Sequence, residues 1–430
     1  MDFFNLLSNI SIPITYYTLA NIAFSYTLHG NFRTKLISFP MMLWLAISAL
    51  RCASYWPGEI PTLWGLLMTT WLSHTNSVLW LEDHSQLSHS KRLRSSLSDS
   101  GNSIHASWLW DNPRLIGTKR SVMRSATNTD PQHPQYSQHQ HQQQQQQQEE
   151  DPATPSLKTW TLHRLLHLSI LLPIFLNQHH IFPGLVMPLA KSDFSPNRES
   201  LFRRHLFPSI LSHSQPQPQI DPDELLLRSI LALWWAIGTY LGLNLCHAIL
   251  SLFFVVILRT DNPSDWPALY GPLSEITSLR TFWSKFWHRI VVRSYSNYGL
   301  AFSRGGLRLK CGSKGEGLVV IFGVFFLSGL AHGVVAWGLG DRCGVGRDLG
   351  WFLGNFLGGL GEVMVLRGVG SVARVLGQED RWREFRDGVG GRLMGRVWVF
   401  FFFFWTVPKW LYPKIDCAIE DALVAQAGGG

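Results

Sequence analysis

Apolar residues in this chain gather into long stretches divided by polar segments, a pattern of membrane spans rather than of a soluble core. The stretches fall at residues 10–28, 36–55, 60–81, 165–189, 229–258, 317–339, 349–366 and 393–411. Most approach or pass the roughly 18–20 apolar residues that a bilayer core requires. Pro13, Tyr16 and Tyr17 predict a kinked or interfacial start to the first. The second contains Pro40 and Arg51, and the third contains Trp64, Trp71 and Trp80. The fourth is broken by Pro173, His179, His180, Pro183 and Pro188 and is the weakest. The fifth would be ~45 Å long as one helix, which asks for strong tilt or a bend near 242–244. The fold expected is all-α, a multi-pass transmembrane helical bundle of about eight spans, within a range of roughly seven to nine.

The polar segments set the organisation. Residues 1–81 hold the N-terminal spans. Residues 82–160 are rich in Ser, His and Gln, with an unbroken glutamine run at 142–148. Such a segment buries too little apolar area to offset chain entropy and reads as a disordered loop. His133, His139 and His141 within it read as low-complexity drift rather than as metal ligands. Residues 161–258 hold central spans around a polar loop at 191–227, residues 259–413 form the region richest in motifs, and 414–430 a tail. Arg33 and Lys35, then the loops 82–164, 259–315 and 367–392, all fall on one side. The positive-inside rule makes that side cytosolic and both termini lumenal. The loop at 191–227, with Lys191, Arg198, Arg203 and Arg204, conflicts with this scheme. No basic segment precedes the first apolar run, so that run is expected to be a retained span, not a cleaved signal.

Composition supports the membrane reading. Only 15% of residues are charged, 46% are hydrophobic, and 19 are Trp. The formal net charge of +8 comes from basic residues in loops between spans, so nucleic acid is not the expected partner. Cys52, Cys246, Cys311, Cys343 and Cys417 are scattered, with no C-x-x-C pair. Free thiols are expected, with neither a disulfide framework nor a metal site.

Two segments carry candidate chemistry. Residues 265–293 read DWPALYGPLSEITSLRTFWSKFWHRIVVR. Ser278 is a helix N-cap candidate. Leu279, Phe282, Trp283, Phe286, Trp287 and Ile290 share one broad face, beside a basic stripe of Lys285, Arg289 and Arg293. A helix lying along the cytosolic membrane surface is predicted. Pattern alone favours a plain interfacial anchor. The stripe also suits the phosphates of a nucleotide-bearing donor, and His288 lies in the same neighbourhood. In residues 323–340, His332 sits deep in a span, ~20 Å from its cytosolic start. Ser328 is one turn before it, and Gly329 and Gly333 permit close approach of a neighbour. An ionisable group at that depth is costly unless it faces the bundle interior or a wet cavity. A satisfied core residue and a functional one weigh about equally here. Neutral His suits general-base catalysis, taking a proton from an alcohol as its oxygen attacks a carbonyl. Glu362, in the next span, is a possible partner that spacing does not establish. No G-x-S-x-G, H-E-x-x-H or P-loop is present.

The segment from Trp266, Pro267, Leu269 and Gly271 to Ser278, Leu279, Phe282, Trp283, Trp287 and His288 resembles the signature of wax-synthase-domain proteins, a branch of the membrane-bound O-acyltransferases. Leu327-Ser328-Gly329-Leu330-Ala331-His332 is similar to that family's Ser-Gly-x-x-His element. Thr406-Val407-Pro408-Lys409-Trp410-Leu411-Tyr412-Pro413 resembles its closing Pro-basic-Trp segment. The three stand in family order across 265–413, and the first 260 residues share only hydropathy with it. The resemblance implies acyl transfer from acyl-CoA to a hydroxyl, with His332 as base and His288 near the reaction centre. Phe282, Trp283, Lys285, Trp287, Arg289, Arg293 and Ser328 would contact substrates, the aromatic-basic helix seating the CoA thioester. It implies a lipophilic alcohol acceptor (long-chain alcohol, sterol or terpenoid), acyl-CoA as co-substrate with no bound cofactor, and an endoplasmic reticulum membrane. The glutamine tract and the domain style look fungal, which points to an acetyltransferase of terpenoid secondary metabolism. The competing readings are a transporter of a lipophilic metabolite and an inactive membrane scaffold.

Overall fold

The computed structural model describes residues 3–28, 30–56, 60–82, 113–114, 156–181, 191–199, 201, 221–341 and 343–428. Most of the segment 82–160, the loop at 202–220 and the end of the fourth predicted span lie outside them. The described residues are almost entirely helical, with no strand among them. The long helices are α1 (Phe3–Leu28), α2 (Phe32–Cys52), α3 (Ile60–Trp80), α4 (Leu157–Ile181) and α5 (Pro222–Leu252). They continue with α6 (Val292–Ala301), α7 (Lys314–Gly338), α8 (Val345–Val375), α9 (Glu379–Asp387) and α10 (Val389–Gly428).

Helices occupy the described parts of all eight predicted stretches. Among the described residues, five helices are long and apolar enough to cross a membrane: Phe32–Tyr55, Leu157–Asn177, Pro222–Ile257, Lys314–Gly338 and Gly346–Val375. The protein is therefore a helical integral membrane protein. α3 falls short of that measure because Ser73, His74, Thr75, Asn76 and Ser77 fill its last turns. Large apolar side chains such as Ile37, Leu162, Met364 and Val365 stay exposed on the spans, as lipid-facing residues do.

Three expectations change. Of the tilt or bend expected of the fifth stretch, the bend at 242–244 is not present: α5 runs unbroken there and ends in a π turn, Phe253–Ile257. α8 extends beyond 366 to Val375, and α10 carries the predicted tail on to Gly428 through Pro408 and Pro413. The cysteines are not all free: Cys343 and Cys417 form a disulfide. Their 74-residue separation hid a pairing that only the packing of α10 against the turn after α7 creates.

The chain forms two compact units. The smaller comprises Met123–Val186 and Ala236–Tyr270. In it, Leu171 packs with Leu241 and Leu245, flanked by Leu168 and Phe175. Trp266 stacks on Phe254 at 5.9 Å, and its carbonyl accepts from Arg164 Nη2 at 2.8 Å.

The larger unit comprises Met1–Val122, Met187–Trp235 and Gly271–Gly430. α1, α2 and α3 share an apolar core around Ala20, Phe24, Met42, Leu45, Trp71 and Val78. α3 and α6 are joined by polar groups. Arg293 donates to Glu82 and meets His74 Nδ1 at 2.6 Å, while Asn297 donates to Ser77 Oγ at 2.9 Å and also to Glu82. Tyr298 OH donates to Ser73 O at 2.7 Å. Arg293 and Glu82 are both buried. α6 meets α7 where Gly299 lies against the Val320 backbone, and a Cβ there would come within 2.9 Å of Val320 Cα. α7 and α8 pack along their lengths.

Removing one partner of a buried ion pair leaves an uncompensated charge, at a cost of about 3–5 kcal/mol. Glu82→Gln is expected to destabilise the detergent-solubilised protein by that order, and Glu82→Leu with Arg293→Leu to regain most of it. Thermal unfolding of the three proteins checks this, and an unaltered midpoint in the single variant would refute the pairing.

Candidate active site

The segment read as one amphipathic helix is in fact two helices joined by a break. Ser278 is the N-cap as predicted, its Oγ accepting from Thr281 N at 3.0 Å. The helix Leu279–Thr281 passes into a π turn, Phe282–Phe286, and Trp287 is extended. The reason lies in the backbone. Gly271 N donates to Phe286 O at 2.8 Å, and Trp287 N donates to Phe282 O at 2.8 Å. The Phe286 carbonyl is thus engaged from outside the helix, and the chain turns away until α6 begins at Val292.

The break divides the basic stripe. Lys285 pairs with Glu275 at 3.0 Å. Arg289 is half-buried and makes no ion pair among the described residues. Arg293 is drawn into the buried network with Glu82 and His74, so its charge is committed to structure. The regular i, i+4, i+8 row expected of a surface helix is not present.

The aromatic residues converge instead. Trp235, from α5, stacks on Trp287 at 5.1 Å and meets Trp351 of α8 at 4.9 Å and Phe403 of α10 at 5.0 Å. Phe282 stacks on Trp287 at 5.1 Å and meets Phe403 at 4.8 Å. Trp283 touches Phe325 of α7 at 5.6 Å. Phe282, Phe286 and Trp287 are buried. Buried polar atoms are normally hydrogen-bonded. The Trp283 and Trp351 indole Nε1 groups and Asn355 Oδ1 are buried with no such partner among the described residues. Two donors and an acceptor in and beside the aromatic cluster are thus left unsatisfied among the described residues.

His332 adjoins this cluster. Its ring lies 4.9 Å from Phe352, next to Trp351, and the charges of Asp348 and Lys414 reach it. The His332 charge in turn reaches His288, whose ring is 5.7 Å from that of Trp287. Desolvation, then the charges of His332 and Arg114, hold His288 well below the ordinary imidazole range, at about 3. His288 is therefore neutral near pH 7, able to accept through one ring nitrogen and donate through the other. Ser328 is one turn from His332, but its hydroxyl donates to Val324 O at 2.7 Å, leaving it an acceptor.

Glu362, which spacing left open as a partner of His332, is engaged elsewhere. Glu362 accepts from Leu279 N at 2.7 Å and from Trp398 Nε1 at 2.8 Å. Asp348, in the first turn of α8, is the one whose charge acts on His332. It is buried and accepts from Trp410 Nε1 at 2.7 Å and Lys414 Nζ at 2.9 Å. Trp410 also stacks on Trp351 at 4.6 Å. Trp235, Trp351, Phe352 and Asp348 escaped notice because they stand in no local pattern with either histidine. Near the disulfide, Asp421 completes a group with Cys343 and Cys417 whose ligand atoms lie within 4.8 Å of one another, but its two sulfurs are bonded to each other.

Residues 266–354 match the model of the Membrane bound O-acyl transferase family. The chain is 27% identical over 205 residues to Acetyltransferase aurG of Calcarisporium arbuscula, covering 47% of each protein. It is 24% identical over 236 residues to Acetyltransferase atnC of Arthrinium sp, covering 55% of this chain and 51% of that one. It is 32% identical over 206 residues to Acetyltransferase nanB of Aspergillus nanangensis, covering 45% of each. The chain thus spans about half the length of the relatives it matches. No solved structure matches it. The protein is a helical membrane protein similar to the membrane bound O-acyl transferases and to these fungal acetyltransferases.

Close packing of α7 on α8 sets the His332 ring against Phe352. A Cβ on Gly329 would come within 2.9 Å of Leu349 Cα and 3.0 Å of Phe352 Cβ. Gly329→Val therefore overpacks the contact, with an expected cost of about 1–3 kcal/mol. Thermal unfolding in detergent checks it, and wild-type stability would show that the helices do not approach here.

Proposed function

We propose that the protein is an acyl-CoA-dependent O-acyltransferase that moves an acyl group, acetyl foremost, to the hydroxyl of a lipophilic alcohol such as a terpenoid, sterol or long-chain alcohol. One observation carries the reading. Two imidazoles from separate segments reach one aromatic cluster: the His332 ring lies 4.9 Å from Phe352, which meets Trp351 at 5.0 Å, and the His288 ring lies 5.7 Å from Trp287. The similarity to proteins named acetyltransferases supports acetyl as the group transferred.

The chemistry follows from the groups present. His332 takes the proton of the acceptor hydroxyl while the alcohol oxygen attacks the thioester carbonyl. Neutral His288 donates an N–H to the oxygen that gains charge. The tetrahedral carbon then expels the CoA sulfur, which recovers the proton from His332. No covalent enzyme intermediate forms. Asp348, held by Trp410 and Lys414, stands in the first turn of α8, four residues before the Phe352 ring that lies against His332. The aromatic walls exclude water, which would otherwise compete with the alcohol as nucleophile. An endoplasmic reticulum membrane suits the disulfide, since such bonds persist where one side is oxidising.

The test is to incubate membranes containing the protein with labelled acetyl-CoA or palmitoyl-CoA and a panel of lipid-soluble alcohols. Ester product from acetyl-CoA is expected. His332→Ala should lower its rate by about 10²–10⁴-fold, the usual contribution of a general base, at equal membrane expression. Undiminished turnover would remove His332 from the mechanism. Uptake of label into sealed vesicles without ester formation would favour a transporter.

A further inference from the structure

At the end of α8 remote from Asp348 lies a cavity of about 720 Å³. Its walls are the last turns of α8, the short helix α9 and the start of the helix that leads to His288. Among the described residues, five arginines line it: Arg280, Arg367, Arg374, Arg383 and Arg386. The carboxylates there do not balance them. Arg374 and Arg383 share Glu379, at 3.5 and 2.7 Å, and Arg386 takes Asp387 at 2.9 Å. Glu362 is occupied by Leu279 N and Trp398 Nε1. Arg280 and Arg367 have no ion pair among the described residues. The cavity thus concentrates positive charge carried on guanidinium groups, whose planar forks match phosphate oxygens.

Its place in the fold narrows the ligand. α8 has 31 residues and is ~46 Å long, against a hydrocarbon core of ~30 Å, so an end of it projects into the interface. The arginine-bearing end is the one the positive-inside rule sets on the cytosolic face. Arg367, the first α8 arginine of the cavity, is fifteen residues beyond Phe352, the ring against His332, or ~22 Å along α8 before its own side chain reaches back. An acyl-CoA molecule has this division of parts: phosphates that must stay in water and a flexible pantetheine arm that carries the thioester inward.

We propose that this cavity is a phosphate-binding site that holds the nucleotide phosphates of the acyl-CoA donor while its pantetheine arm enters toward His332. The assignment rests on the acyl-transfer reading and relocates donor recognition from Lys285, Arg289 and Arg293 to α8 and α9. The phosphate of an anionic lipid headgroup offers the same chemistry, and the test separates the two sources.

The experiment uses the full-length protein in nanodiscs of neutral lipid and, in parallel, of lipid containing phosphatidylserine. CoA binding is measured directly. Turnover is compared for acetyl-CoA and for acetylpantetheine, which lacks the nucleotide and its phosphates. In the Arg367→Gln, Arg374→Gln double variant, CoA affinity and the preference for acetyl-CoA over acetylpantetheine are each expected to fall at least tenfold in neutral nanodiscs. Lysine at both positions should restore part of the preference, which a merely unfolded protein could not show. Wild-type affinity and preference in the glutamine variant would overturn the cavity assignment and leave acyl transfer standing. A change confined to anionic nanodiscs would overturn it in favour of a lipid headgroup. A wild-type protein that binds no CoA and acylates no acceptor would instead overturn the acyl-transfer reading itself.

Discussion

One carboxylate, Glu362, ties together the parts on which the site depends. Projecting from α8, it accepts the Leu279 N–H that opens the helix leading to His288 and the indole N–H of Trp398 on α10. The first amide groups of a helix have no partner within it, so an anion at that point satisfies them and suits the helix dipole. Here the anion comes from another span, which turns local capping into a tertiary lock. The helix it holds is too short to stand alone. Its position is inherited from α8 and α10, and with it the positions of Trp283, Trp287 and His288.

The same demand recurs wherever polar groups enter apolar surroundings. Arg293, Glu82, His74 and Asn297 satisfy one another between α3 and α6. Asp348, Lys414 and Trp410 do so between α8 and α10. Low dielectric makes an unpaired charge expensive, so each cluster fixes which helices stand together. Against that background, the indole groups of Trp283 and Trp351 and the Asn355 carbonyl depart from the rule. Trp351, which meets Trp283, adjoins Phe352, the residue whose ring lies against His332, so the departure falls beside that imidazole.

What the sequence revealed and what it hid follow one physical division. Spans were legible because hydropathy is local, and Ser278 because capping reaches only three residues ahead. His332 was visible as a titratable group among small and apolar neighbours. The break at Trp287 was not, because it depends on Gly271 reaching the Phe286 carbonyl from outside the helix. Periodicity therefore drew Arg293 onto a surface stripe when its partner was Glu82, on the far side of the long polar insert. The choice between Glu362 and Asp348 was likewise beyond spacing, since both lie on the same helix and only its packing decides which one meets His332. The Cys343–Cys417 pair failed for the same reason.

That disulfide also bears on the direction of the reaction. It lies at the end of α7 opposite Lys314, while the arginine cavity lies at the end of α8 that neighbours Lys314. Disulfides persist away from the reducing cytosol, and positively charged loops stay within it. These rules rest on unrelated chemistry, and they assign the two ends of this bundle to opposite compartments in the same sense. His332 is only six residues from the end of α7, ~9 Å, on the disulfide side. On the proposed acyl-transfer reading, a donor entering from the arginine-bearing end would have to send its thioester inward while its phosphates stay in water. On that reading recognition and reaction stand apart along one helix, α8, which carries Arg367 and Arg374 at one end and Trp351 and Asp348 at the other.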